Sequence, residues 1–87
     1  RSIIWYIYLK TEKDCASFFE DICTIKEIQS IAQRVVVAKM LTEGKVYSDI
    51  VAATGASTAT ISRVNRCLKY GSDGYAKLLN RIEYEDE

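Results

Sequence analysis

The 87-residue chain contains no histidine and no proline. Without histidine it lacks the commonest general base and the commonest metal ligand of proteins. Its paired carboxylates, such as Glu20 and Asp21, are adjacent in sequence, so they do not share a helix face and are interpreted as surface charges. We therefore expect no catalytic residues, no metal site and no enzymatic activity.

Cysteines and long apolar runs are also scarce. Cys15, Cys23 and Cys67 form no Cys-x-x-Cys pair, and their odd number argues against a disulfide framework. We interpret each as a reduced thiol in a hydrophobic core, which is typical of a cytoplasmic protein. The apolar residues 2–9, SIIWYIYL, are far too few to span a bilayer. We expect neither a membrane segment nor an export signal.

What the chain does contain is a series of helical patterns. Apolar residues at three- and four-residue spacing predict helices over residues 12–22, 24–43, 47–54, 57–70 and 73–83. Thr24 and Glu27 have the spacing of a capping box at the start of the longest helix. Residues 2–9 have strand propensity, but the chain offers no partner strand, and we predict a helix there too.

The longest predicted helix has a broad apolar surface. Its stripe follows the spacing of a core-facing helix: Ile28, Ile31, Ala32, Val35, Ala38 and Leu41. Val36 and Met40 widen this surface enough to predict burial on a second side. A chain of 87 residues is of marginal size for burying its own core, and residues 2–9 need cover as well. We therefore expect a homodimer held together by the N-terminal and central helices.

Residues 54–71, TGASTATISRVNRCLKYG, have the order of the turn and second helix of a helix-turn-helix. Gly55 lies where the chain must reverse, and glycine adopts a left-handed conformation there at no steric cost. Ser57 is placed to cap the second helix. The residues predicted to face inward are Ile61, Val64 and Leu68, with Cys67 beside them.

The opposite face of this second helix carries side chains that suit DNA. Hydroxyls, a methyl group and an amide can approach base edges, and cations can reach phosphates. The predicted DNA-contacting residues are Ser57, Thr58, Ala59, Thr60, Ser62, Arg63, Asn65, Arg66 and Lys69. The order of these features favours a DNA reader over the alternative, an ordinary surface helix with a solvated cationic face.

The net charge of zero is unevenly distributed. Residues 45–82 hold six cations against two anions, whereas residues 83–87 hold four anions. A positive region attracts phosphates, and a dimer would present it twice. The acidic side chains are interpreted as a solvated helix end, with masking of the DNA surface as the alternative. They are Glu83, Glu85, Asp86 and Glu87.

Three blocks of the sequence point to one family. They are FFEDICTIKEIQSIAQR at residues 18–34, VAKMLTEGKVYSDI at residues 37–50 and TGASTATISRVNRCLKYGSDGY at residues 54–75. On these residues the chain resembles the Trp repressor superfamily, and in detail its bacterial YerC/YecD-type branch. The resemblance implies an all-α fold: a six-helix Trp-repressor-like subunit with a helix-turn-helix, in an intertwined homodimer. It implies a single domain over residues 1–87, with dimerisation helices at 1–43, the helix-turn-helix at 44–70 and a C-terminal helix and acidic tail at 71–87.

The resemblance also implies an effector pocket, which this sequence matches only in part. Tryptophan-sensing members use a threonine and two arginines, matched here by Thr24, Arg34 and Arg63. The glycine after the second arginine is replaced by Val64, and the serine three positions further on by Cys67, so we expect no L-tryptophan binding. Val64 either fills the slot and makes DNA binding independent of any ligand, or leaves a pocket for another small-molecule corepressor. We favour the first, because a valine there also suits core packing.

The sequence therefore predicts a DNA-binding transcription regulator, specifically a repressor, at the nucleoid of a bacterial cytoplasm. It would bind double-stranded DNA without a cofactor. On a palindromic operator, residues 58–66 of the two subunits would enter successive major grooves about 34 Å apart. The alternative is a dimeric protein-interaction module that keeps the helix-turn-helix only as scaffold, and it predicts a tight dimer without salt-dependent DNA affinity.

Overall fold

The computed structural model describes residues 4–86 and contains no strand among them. A 3₁₀ helix and five α-helices follow one another: the 3₁₀ helix Ile4–Tyr8, α1 Glu12–Ile22, α2 Ile25–Thr42, α3 Tyr47–Thr54, α4 Thr58–Tyr70 and α5 Gly74–Asp86. The predicted all-helical class is confirmed. Within residues 4–86, no helix is both long enough and apolar enough to cross a membrane.

The helix boundaries follow local signals in the sequence. The capping box that begins α2 is confirmed, because the backbone N–H of Thr24 donates to Glu27 Oε1 over 2.8 Å and the N–H of Glu27 donates to Thr24 Oγ1 over 3.1 Å. The first helix begins at a cap that the sequence reading missed, Thr11, whose side chain accepts from the N–H of Asp14.

The first and last helices differ in part from their predicted bounds. The helix predicted over residues 2–9 is present as the 3₁₀ helix, and residues 2 and 3 lie outside the described part of the chain. The last helix, predicted to end at about residue 83, continues to Asp86, because residues 83–86 hold no glycine or proline to stop it. The predicted acidic tail at residues 83–87 lies outside the part whose side chains the structure describes.

The chain divides into two compact units, the first ending at Ser30 and the second beginning at Ile31. In the first unit, aromatic rings form a small cluster, with the ring centroids of Trp5 and Phe18 4.8 Å apart. No residue of α1 is buried. Phe19 and Ile22, which the sequence placed on a packed side of this helix, are 39% and 58% exposed in the single chain.

The second unit contains the buried core. It consists of Val37, Ala38, Ile50, Ala56, Ile61 and Val64. These residues come from α2, α3 and α4 and from the turn between α3 and α4. Met40, Leu41, Tyr47, Leu68, Tyr75 and Leu79 pack around them. The helix-turn-helix segment is therefore built on the C-terminal half of α2.

The predicted buried stripe on α2 needs correction. Ala38 is buried as expected, but so is Val37, which the prediction left out. Ile28 and Ile31 are 37% and 43% exposed, and Val36, expected to be buried on a second side, is 49% exposed. Helical spacing identifies which residues share a face, whereas burial also needs an element to cover that face. In the single chain each of these side chains keeps more than a third of its surface exposed.

Candidate nucleic-acid interface

Residues 55–57 form the turn that joins α3 to α4. Gly55 is left-handed, with φ 74° and ψ 4°, and its N–H donates to the carbonyl of Val51 over 2.9 Å. Thr54 reinforces the turn, because its hydroxyl donates to the carbonyl of Ile50 over 2.7 Å and accepts from the N–H of Ala56 over 3.1 Å. The predicted role of the glycine is confirmed, and the role of the threonine is one that sequence reasoning missed.

The start of α4 is fixed by Ser57. Its hydroxyl oxygen accepts from the N–H of Thr60 over 3.1 Å, which confirms the predicted cap. The same hydroxyl donates its proton to Thr60 Oγ1 over 3.0 Å. The Thr60 hydroxyl therefore keeps its own proton for a further acceptor. Both residues belong to the predicted DNA-contacting set; Ser57 is exposed and Thr60 is half-buried.

The two faces of α4 differ sharply in exposure. Ile61 and Val64 are 0% and 1% exposed, and Leu68 packs against the same core. The side chains predicted to contact DNA lie mostly in solvent: Thr58, Ala59, Ser62, Arg63, Arg66 and Lys69 are all exposed. The structure thus brings the predicted inward set into the core and leaves this outward set uncovered.

The cations on α4 are uncommitted within the described chain. The side chains of Arg63, Arg66 and Lys69 form no hydrogen bond or ion pair with any residue whose side chain the structure describes. A guanidinium group that already holds a carboxylate would have to give it up before binding a phosphate. Within the described part of the chain no carboxylate holds these three side chains, which leaves them available to an acceptor from outside it.

Asn65 differs from its neighbours on α4. It is half-buried, and its Nδ2 donates to the phenol oxygen of Tyr47 over 3.3 Å. The predicted contact residue therefore bonds to the first residue of α3. Nothing in the sequence pattern singled out Tyr47, since the two residues are 18 positions apart and the contact depends on how the helices pack.

The residues predicted to line an effector pocket have different surroundings. Thr24 belongs to the first unit, where its hydroxyl accepts within the capping box. In the second unit Arg34 is half-buried, Arg63 is exposed, Val64 lies in the core and Cys67 is exposed. An open apolar groove of about 460 Å³ is lined by Val35, Cys67, Gly71, Ser72, Gly74, Tyr75 and Leu78. Of the five predicted residues, only Cys67 lines this groove.

The cysteines are free, as the sequence suggested, but not all of them are core thiols. Cys15 and Cys23 are half-buried, and Cys67 is exposed. The expectation of a core position is wrong for Cys67, because it stands at the edge of the buried face of α4, where the groove opens. In the part of the chain that the structure describes, no three His, Cys, Asp or Glu side chains are grouped closely enough to hold a metal ion.

Comparisons with known proteins extend the likeness over most of the chain. The family model described as Trp repressor protein matches residues 6–83. The uncharacterized protein YerC of Bacillus subtilis is 59% identical over 75 residues, a match that covers 86% of this chain and 72% of YerC. The crystal structure of a TrpR-like protein from Eubacterium eligens has a TM-score of 0.80 and 55% identity, covering 90% of this chain and 80% of that one. A crystallised Staphylococcus aureus protein, thought to be a Trp repressor, has a TM-score of 0.80 and 47% identity, covering 90% of this chain and 78% of its own.

Proposed function

Because the chain belongs to the Trp repressor protein family, we propose that it represses transcription by binding a palindromic operator in double-stranded DNA. The resemblance seen in the sequence is confirmed by the family match, and that family is one of DNA-binding regulators. The finer parts of the proposal are the operator symmetry, the direction of regulation and a place at the bacterial nucleoid. The operator symmetry depends on the proposed dimer, whereas the direction of regulation and the nucleoid location rest on the likeness to the family alone.

The observation that carries the proposal is the division of α4 into a core face and a solvent face. Ile61 and Val64 hold the helix against the core, so its outward side chains are presented from a fixed support. Ala59 and Ser62 are small enough for the helix backbone to come close to base edges. Arg63 and Arg66 stand further along, where they suit phosphate oxygens and bases presenting acceptors.

A dimer would place two copies of α4 on one operator. The first unit supports this part of the proposal through apolar side chains that the single chain leaves uncovered. Trp5, Phe19, Ile22 and Ile25 are 44%, 39%, 58% and 75% exposed. Exposed apolar surface of this extent is typical of a protein interface. We propose the six-helix intertwined dimer of the family, with the 3₁₀ helix in the place of its first helix.

Ligand independence is the last part of the proposal. Val64, which stands where tryptophan-sensing members have glycine, is packed among Val37, Ala38, Ile50 and Ile61. A side chain so placed already occupies the space beside the backbone of α4. We propose that it fills the slot that an indole ring would use and that the protein binds its operator without L-tryptophan.

The test is a selection from random duplex DNA by the purified 87-residue chain at about 150 mM salt, a roughly physiological ionic strength. It is run with and without L-tryptophan. Enrichment of one palindrome in both arms supports a dimeric DNA reader that does not need L-tryptophan. Enrichment only with L-tryptophan overturns ligand independence, and enrichment of a site without two-fold symmetry overturns the dimeric mode.

A protein-interaction module is the second candidate, and the uncovered apolar side chains of the first unit also favour it. The double variant Arg63→Ala, Arg66→Ala separates the two, with Lys10→Ala, Lys13→Ala as a control that removes the same charge from the other unit. If α4 binds DNA, only the first variant loses salt-dependent affinity, and its oligomeric state is unchanged in analytical ultracentrifugation. If the chain is an interaction module, neither the double variant nor the unsubstituted chain shows salt-dependent affinity for DNA.

A further inference from the structure

Asn65 directs its amide toward α3 and not away from the protein. Its Nδ2 donates to Tyr47 Oη over 3.3 Å, and both residues are half-buried. The Tyr47 ring also packs against the core of the second unit. The ring is therefore held by packing and its oxygen by a hydrogen bond. An amide engaged in this way is not extended toward the base edges that α4 would meet.

The direction of this hydrogen bond leaves the hydroxyl proton of Tyr47 unused. A phenol group can accept and donate at the same time, and here its oxygen accepts from Asn65. The Tyr47 hydroxyl has no other hydrogen-bond partner among the described residues. Since the oxygen lone pair on the side of Asn65 is occupied, the O–H bond must turn elsewhere. The pair thus presents a hydrogen-bond donor of fixed position at the first residue of α3.

A cation lies on the same side of α4 as Asn65. Lys69 follows Asn65 by four residues and therefore lies on the same side of α4, one turn further on. Its side chain is exposed and has no described partner. A neutral donor held by Asn65, together with an exposed cation one turn further along α4, suits an anionic group with several acceptor oxygens. In a complex with DNA the phosphodiester is that group.

We propose that Tyr47, oriented by Asn65, donates a hydrogen bond to a phosphate of the DNA backbone. Asn65 is then a positioning residue and not a reader of a base. This inference rests on the proposed function, since it assigns Tyr47 to the same DNA-binding surface. It replaces one member of the predicted contact set by a residue of the preceding helix.

The test measures the affinity of the full chain for the selected duplex by fluorescence anisotropy, over a range of salt concentrations. Tyr47→Phe removes only the hydroxyl. We expect binding to weaken roughly tenfold, as for the loss of a hydrogen bond to a charged acceptor. The slope of log affinity against log salt should be unchanged, because the lost group carries no charge, whereas Lys69→Ala should make that slope shallower by about one unit per contact. Tyr8→Phe, the same change in the first unit, serves as the matched control.

Asn65→Ala provides the second arm. If Asn65 acts through Tyr47, its loss should weaken binding by a similar factor without altering the selected sequence, and the double variant should be no weaker than the single variants. Variants are compared at a temperature at which circular dichroism shows each to be folded.

Three results would overturn the inference. The first is a changed base preference at one position for Asn65→Ala, which would make it a reader. The second is lower thermal stability of both variants with the affinity of the folded proteins unchanged, which would make the bond purely structural. The third, no binding by the unsubstituted chain, would remove the proposed function and this inference together.

Discussion

The side-chain amide of Gln33 donates a hydrogen bond to the backbone carbonyl of Thr54 over 3.1 Å. Gln33 lies on α2, and Thr54 is the last residue of α3, directly before the turn glycine. Carbonyls in the last turn of a helix have no partner within that helix. Gln33 therefore satisfies one of these acceptors and ties the end of α3 to α2, which supports the core of the second unit.

Replacing Gln33 by alanine should leave the part-buried carbonyl of Thr54 without this donor. We expect the free energy of unfolding to fall by about 1 kcal/mol, as for the loss of one such hydrogen bond. Urea denaturation measures the change. Gln29→Ala is the control, since Gln29 is an exposed glutamine on the same helix. Equal losses for the two variants would show that the hydrogen bond contributes nothing beyond helix propensity.

The turn itself gives a second prediction. A Cβ added at Gly55 meets no atom within 4 Å, so Gly55→Ala suffers no collision, only the strain of a positive φ. We expect it to lower the free energy of unfolding by roughly 1–2 kcal/mol. Gly55→Asn should cost less, because asparagine tolerates this conformation better.

Gly74→Ala is the matched control for the turn glycine. Gly74 is the first residue of α5, does not have a positive φ and also has open space around its Cβ position. Alanine there should leave stability unchanged or raise it by up to about 1 kcal/mol. Equal losses at both glycines in thermal denaturation would contradict the role of the left-handed turn.

The features that the sequence predicted well are local ones. The capping box of Thr24 and Glu27, the left-handed Gly55 and the Ser57 cap each depend on residues within four positions of one another. Residue type and spacing determine such contacts almost completely. The same holds for the division of α4 into two faces, because that division follows from helical periodicity.

The cap at Thr11 and the hydrogen bonds of Thr54 are local contacts that the sequence interpretation overlooked, whereas two other missed contacts depend on packing between helices. Gln33 and Thr54 are 21 positions apart, and Tyr47 and Asn65 are 18 apart. No periodicity links such pairs, since their contact is set by how the helices cross. Ile31 and Val36 illustrate a second limit: the pattern assigned them to apolar faces, but the single chain leaves them 43% and 49% exposed.

The cap of α4 separates a structural effect from an electrostatic one. Ser57→Ala removes the acceptor for the N–H of Thr60 and should lower the free energy of unfolding by about 1 kcal/mol. Ser57→Asp keeps an acceptor and adds a negative charge, which a helix N-terminus favours. The aspartate variant should therefore be as stable as the unsubstituted chain.

The affinity of the Ser57→Asp variant for DNA should nevertheless fall, because the added carboxylate would face phosphates if the start of α4 enters the major groove. Thermal denaturation and fluorescence anisotropy with the selected duplex measure the two effects separately. An aspartate variant that binds DNA as tightly as the unsubstituted chain would mean that the start of α4 lies away from the backbone.

The buried valine of α4 gives the sharpest test of ligand independence. Val64→Gly removes a side chain that is 1% exposed and introduces glycine into a helix, so we expect a loss of at least about 2 kcal/mol. If Val64 fills the indole slot, this change together with Cys67→Ser restores the residue types of tryptophan-sensing members. L-tryptophan should then stabilise the double variant, by about 2.7 kcal/mol at a hundred times its Kd, and leave the unsubstituted chain unaffected.

Ile61→Ala is the control for this experiment, because Ile61 is equally buried one helical turn earlier but has no counterpart in the implied pocket. It should lose stability without any response to L-tryptophan. A response by the control would point to non-specific binding in a loosened core. Stabilisation of the unsubstituted chain would show that the slot is open despite Val64, and the branched side chain would then have to move when the ligand binds.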